Sequence, residues 1–375
     1  ELAAAWIKGV QSAGVGASLK HFAANNQEKW RMTNDSIIDE RALREIYLRA
    51  FEIAVKKGRP WTVMAACNKL NGTYCTENER LLTSILRKEW GFEGVIISAQ
   101  GAVDDRVASI KAGLDLEMPA SFGRGAAQIR HDLSTGRLTE VVLDQAVRRV
   151  LKLIYKVEKN KQAGYSYDQK EHHALAKKAA LQSAVLLKNE AGILPLKPNQ
   201  SLAILGQFAK TPRYQGGGSS AVNPTQLDTI YEQFKAAEID FSYAPGYTLE
   251  GQEINEGLLA QACHLAAEVD LVLIMAGLPA TYEAEGYDRS NLELPPGQNE
   301  LIRRVAEING RVVVVLSAGA PITMPWLEAV PGVLHPFLSG QAGAAALFDL
   351  LWGKENPCGK LAESSHTPDL SGPAR

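Results

Sequence analysis

The sequence lacks the features that would mark a specialised chain at a glance. Its four cysteines, Cys67, Cys75, Cys263 and Cys358, are far apart, with no C-x-x-C pair and no Cys/His cluster at zinc spacing. Neither a disulfide framework nor a metal site is expected, and reduced thiols of this kind fit a cytoplasmic protein. An excess of charge is also missing. Lys and Arg total 40 against 42 Asp and Glu, a formal net charge of −2, which is too little to steer the chain to nucleic acid or to an anionic membrane. No apolar run approaches the roughly 20 residues that span a bilayer. The opening ELAAAWIKGVQSAG reads as the interior of an amphipathic helix, without a start Met or a basic-then-apolar leader.

What remains is a long chain of ordinary globular composition. It has 375 residues, 46% hydrophobic and 22% charged, enough for two or three domains, each with its own core. From residue 1 to about 157, short β-rich runs alternate with helical patterns, which predicts βα units on a parallel sheet. Strands are expected at 18–22, 61–66, 94–99 and 114–118, and helices at 39–57, 78–90 and 139–156. Further on, strands are expected at 201–205, 271–276, 312–317 and 332–336. Helices at 169–189, 228–237, 255–267, 297–308 and 342–352 alternate with them, an open α/β layer. The polar stretch 158–169 marks a boundary, giving domains 1–160 and 173–375 joined by a linker at 161–172.

Active sites of parallel α/β folds gather at the C-terminal ends of strands. Lys20 and His21 end the first expected strand and are followed by Asn25, Asn26, Gln27, Glu28 and Arg31, an accumulation of hydrogen-bonding groups. Cys67 and Asn68 close the second strand, and Ser98, Ala99, Gln100 and Gly101 the third. In the second domain Glu283, Glu285, Tyr287, Asp288 and Arg289 share a loop after the strand at 271–276. The run Gly216 to Ser220 has the look of a phosphate loop but lacks its Lys and following helix, so a flexible binding loop or plain turn is expected.

Longer motifs make a family resemblance specific. KHFAANNQEKWRMTND (20–35), DERALREIYLRAFEIAVKKGRPWTVMAACNKLNG (39–72), NERLLTSILRKEWGFEGVIIS (78–98) and AGLDLEMP (112–119) resemble the second half of a glycoside hydrolase family 3 β-glucosidase barrel. TPRYQGGGSS (211–220), AEGYDRSNLELPPGQNELI (284–302) and NPCGKLAE (356–363) are similar to the domain that follows it. The resemblance implies the C-terminal half of a (β/α)8 barrel, then an α/β sandwich domain. It also implies retaining hydrolysis of β-glucosides or related oligosaccharides in carbohydrate metabolism. Such chemistry needs two carboxylates about 5–5.5 Å apart and no metal, nucleotide or flavin. By position, Lys20, His21 and Arg31 resemble the sugar-binding groups. Glu285, or alternatively Glu283, resembles the acid/base, with Asp288 and Arg289 expected to brace the loop as an ion pair.

The departures from the family pattern are concentrated. Where the family reads Ser-Asp-Trp-Gly with Asp as nucleophile, this chain reads Ser98-Ala99-Gln100-Gly101. Cys67 stands where the motif has Tyr, and Ala221 where His commonly follows the glycines. A methyl group cannot attack an anomeric carbon, so hydrolysis is expected to be very weak. A non-catalytic sugar-binding relative is the alternative, as is a redesigned site in which Cys67 attacks with His21 as base. Only the last four βα units of the barrel are expected, so a missing chain segment or a second copy of the chain is expected to complete it.

Overall fold

The computed structural model describes residues 1–249 and 253–362 and divides into two compact units, Glu1–Tyr165 and Ser166–Arg375. Each is a mixed α/β body built on a multi-stranded sheet.

In the first unit β1 (Ser18–Phe22), β2 (Thr62–Ala65) and β3 (Val95–Ser98) lie side by side in chain order, all parallel. Parallel neighbours need a crossover, and a helical run over 40–58 and the helix Arg80–Glu89, both rich in π-type turns, supply them. Asp39 caps the first, its side chain accepting the Ala42 N–H at 2.9 Å. Apolar residues at helical spacing, Leu43, Leu81, Leu82, Ile85 and Leu86, close over the alternate strand residues Phe22, Val63 and Ile96. Phe22 stands edge-on to Phe51 and Trp90, with ring centroids 5.2 and 5.7 Å away.

The expected strand at 114–118 is reduced to a single parallel bridge, Ile97 to Leu116. The backbone still joins it to β3, the Leu116 N–H donating to the Ile96 carbonyl at 3.1 Å and the Ser98 N–H to the Leu116 carbonyl at 3.0 Å, and side chains add to the seam. Asp115, buried, accepts from Arg87 at 2.6 Å, Arg149 at 3.0 Å and the Ile96 N–H at 2.8 Å. Ser98 Oγ receives the Met118 N–H at 2.8 Å. The long helix Glu140–Asn160 packs through Val142, Leu143 and Ala146 against its own unit. Leu151, Ile154 and Tyr155 of that helix stay exposed, as do Leu2 and Trp6 of Leu2–Ser12.

The second unit holds six strands: β4 (Val185–Asn189), β5 (Leu202–Leu205), β6 (Ser242–Ala244), β7 (Leu271–Gly277), β8 (Val312–Ser317) and β9 (Gly332–His335). Their order is β4-β9-β8-β7-β5-β6, parallel except for β4. Val312, Val314 and Leu316 face one layer of helices with Leu259 and Leu301, while Val313 and Val315 face another with Phe234 and Phe348. Burial on both faces explains why β7 and β8 read as unbroken apolar runs.

One expected helix is corrected. The run at 169–189 is helical only over Gln169–Ser183, and Val185–Asn189 becomes β4, paired antiparallel to β9. A short apolar run such as VLLKN is ambiguous by periodicity, and the open edge of β9 supplies the partner that decides it. Residues 169–172, expected in the linker, belong to that helix, which Asp168 caps through the N–H groups of Lys170 and Glu171.

Candidate functional site

At the C-terminal ends of the first unit's strands, a local irregularity in β1 sets up the mouth. Leu19 pairs with Val63 and Phe22 with Ala65, so Lys20 and His21 together oppose the one residue Met64. Simple alternation would turn one of the pair into the helical layer. The extra residue lets both leave it, as a bulge does. Lys20 is exposed and His21 half-buried. Arg31, on the loop that follows, is paired with Glu28 at 2.8 Å.

Asn68 holds this mouth together. Fully buried, it donates through Nδ2 to the carbonyls of Ala23 and Ala24, both at 3.3 Å, and of Lys69 at 3.0 Å. Cys75 reinforces the same turn, its thiol reaching the Ala23 carbonyl at 3.4 Å, and burial pushes that thiol up to about 12. Asn68 stands in the quoted motif, but nothing in sequence spacing distinguishes it from its neighbours. Its importance lies in backbone carbonyls contributed 44 and 45 residues away.

Ala99 lies directly beyond β3, where its N–H extends the sheet by donating to the Ala65 carbonyl at 3.1 Å. It is buried and packs with Cys67, Ala102 and the partly buried Met64 in a small apolar cluster. Gln100 is exposed in the turn that follows. At the opposite, N-terminal ends of these strands a cavity of 610 Å³ is lined by Trp61, Trp90, Lys56, Arg149, Lys152 and Lys156. It lies at the other end of the strands from the mouth.

In the second unit the sheet topology itself marks a site. From β5 the chain passes outward to β6, and β7 returns on the other side of β5. The loops after β5 and β7 therefore diverge from a topological switch point, where open α/β sheets form crevices. The first of these loops carries Gly216 to Ser220 and the second Glu283 to Arg289. They are joined by a parallel bridge between Gly217 and Ala284. The glycine run is thus a built cradle for the acidic loop, which corrects its reading as a flexible loop or plain turn.

The two candidate carboxylates have different surroundings. Glu283 is used by the scaffold: its Oε2 accepts the Gly319 N–H at 3.1 Å and lies 3.9 Å from Arg213 Nη2. Arg213 also donates to the Leu278 carbonyl at 2.9 Å and to the Glu283 carbonyl at 2.6 Å. Glu285 Oε2 instead accepts from the Ser219 N–H at 2.9 Å and from the Ser219 hydroxyl. Arg289 braces its loop by donating to the carbonyls of Asn291, at 3.0 Å, and Pro321, at 3.2 Å. Sequence reading missed Arg213 and Ser219, although both lie inside the motif TPRYQGGGSS.

Comparison with known proteins agrees with this organisation. Residues 1–153 match the glycosyl hydrolase family 3 N-terminal domain and residues 184–369 the family 3 C-terminal domain. The chain is 52% identical over 98% of its length to a thermostable β-glucosidase B from Acetivibrio thermocellus, covering 50% of that relative. It is 44% identical over 96% of its length to an exo-α-(1→6)-L-arabinopyranosidase from Bifidobacterium breve, covering 48% of it. Among solved structures, a Bifidobacterium adolescentis family 3 β-glucosidase superposes with a TM-score of 0.90 at 44% identity, over 94% of this chain and 52% of that one. A Thermotoga neapolitana β-glucosidase 3B in complex with α-D-glucose gives 0.86 at 36% identity, over 94% and 54%. The chain spans about half the length of the curated relatives it matches. With both domains matched and a 52% identical relative aligned along almost all of it, this chain belongs to glycosyl hydrolase family 3.

Proposed function

We propose that this chain carries the greater part of a retaining glycosidase site for β-D-glucosides or closely related pyranosides, and that its hydrolysis is very weak because the nucleophile is missing. The observation that carries this reading is Ala99. Its backbone continues β3 at the strand mouth, while its side chain lies in an apolar cluster with Cys67 and Ala102 instead of presenting an ionised oxygen. The relatives named β-glucosidase and the glucose-bound structure support the substrate class.

In the proposed division of labour, Lys20, His21 and Arg31 donate hydrogen bonds to sugar hydroxyls and Glu285 gives a proton to the leaving oxygen. Glu283 is read instead as a brace of the scaffold, through Gly319 and Arg213. The apolar company of Cys67 favours a volume-filling thiol over a replacement nucleophile. For architecture, the parallel β1-β2-β3 run with the Leu116 bridge supports the second half of a (β/α)8 barrel, followed by an α/β sandwich domain. A preceding chain segment or a second copy would complete the barrel.

A small anion tests the vacancy. With the complementary half-barrel supplied, azide should attack the anomeric carbon of an activated aryl β-glucoside as the aryloxide leaves. The product is the glucosyl azide of inverted configuration. Turnover that rises with azide and yields this product supports the reading. Tight sugar binding by calorimetry without azide-dependent turnover would favour a non-catalytic binding protein instead.

A further inference from the structure

The hydroxyl that meets Glu285 is well chosen for a group that must both give and take a proton. We propose that Ser219 is the residue that positions Glu285, its main-chain N–H and side-chain hydroxyl gripping one carboxylate oxygen so that the acid/base is held in a single orientation. The proposal rests on the reading of Glu285 given above and adds a residue to it.

Three features of the second unit carry it. The Glu285 N–H donates to the Gly217 carbonyl at 3.3 Å, which, with the Gly217 to Ala284 bridge, fixes the register between the loops. Gly218 has φ +97°, and a Cβ there would stand 2.5 Å from Glu285 Cβ, so glycine is what allows so close an approach. The next N–H, that of Ser219, then falls 2.9 Å from Oε2. The cradle is itself braced. Gln215 receives the Val222 N–H at 2.9 Å and donates to its carbonyl at 3.0 Å, closing the loop on itself.

The chemistry of a serine suits this place. A lysine or arginine partner would favour only the ionised carboxylate. A hydroxyl donates to the carboxylate and, after rotating, accepts from the protonated acid, so it accompanies Glu285 through both halves of a retaining cycle. Two donors on one oxygen favour its charged form. The other titratable groups of these two loops are Lys210, Arg213, Tyr214 and Asp228 on the first and Tyr282, Glu283, Tyr287, Asp288, Arg289 and Glu293 on Glu285's own loop. None of them is altered by a substitution at 219.

The test is a carboxyl ¹³C titration of the chain labelled at glutamate, with Glu285→Gln used to assign the resonance. The expected result is a Glu285 pKa that rises by about one unit in Ser219→Ala and stays within a few tenths of the parent in Ser219→Thr. Unchanged amide resonances for β5 and β7 establish that both variants are folded. A titration that is the same in the parent and the folded Ser219→Ala chain overturns the proposal while leaving the acid/base reading standing. Failure of that reading appears separately, as unchanged turnover of Glu285→Gln in a protein carrying Asp at position 99.

Discussion

At the scale of single residues, the strand ends of the first unit combine small apolar side chains with polar ones. Ala99 and Cys67 fill a small apolar cluster, whereas Lys20, His21 and Arg31 keep polar groups at the same strand ends. The thiols provide a direct check on how these places are built. Cys75 is buried and its pKa pushed up to about 12, while Cys358 is exposed. A raised thiol pKa means that the reactive thiolate is nearly absent at pH 8 and appears only as pH climbs toward 12. A maleimide at pH 8 should therefore label Cys358 within minutes and spare Cys75 in the folded chain. Peptide mapping by mass spectrometry reads this, and fast labelling of Cys75 would contradict the packing described. Strand-end position drew attention to residues 20 and 21, and the family resemblance to residues 99 and 285. The sequence could not reveal what Asn68 and Ser219 hold, because their partners are carbonyls and a carboxylate brought from 44 to 66 residues away.

At the scale of elements, most strands were legible because buried parallel strands have an unmistakable composition: VVVVLS and LVLIMAG are apolar at every position. The failures occurred at edges. β4 was read as helix because it continues a helical pattern and owes its state to pairing with β9. The strand expected at 114–118 shrinks to one bridge, where a few backbone hydrogen bonds are supplemented by the side chains of Asp115 and Ser98. Its buried pairs with two arginines make Asp115 a strong structural residue. Its removal leaves the guanidinium of Arg87 buried without its carboxylate, and that of Arg149 without its partner. Asp115→Ala should lower stability by about 3–5 kcal/mol, the usual effect of breaking a buried pair from one side. Chemical denaturation followed by tryptophan fluorescence measures it, and a loss below 1 kcal/mol would show that the bridge contributes little.

At the scale of the whole chain, two units carry two parts of one proposed chemistry, and each was predicted from alternating β and α patterns without any conserved column to read. The apolar residues left exposed on Glu140–Asn160 and Leu2–Ser12 fit a chain that spans about half the length of its curated relatives. The proposed function turns on a single side chain, Ala99. The direct measurement is therefore turnover of an aryl β-glucoside by Ala99→Asp beside the parent, each with the complementary half-barrel supplied. If the scaffold is intact and only the nucleophile is gone, Asp at position 99 should raise kcat/KM by roughly three or more powers of ten. An unchanged rate in a folded, complete protein would mean that the remaining groups no longer form a hydrolytic site.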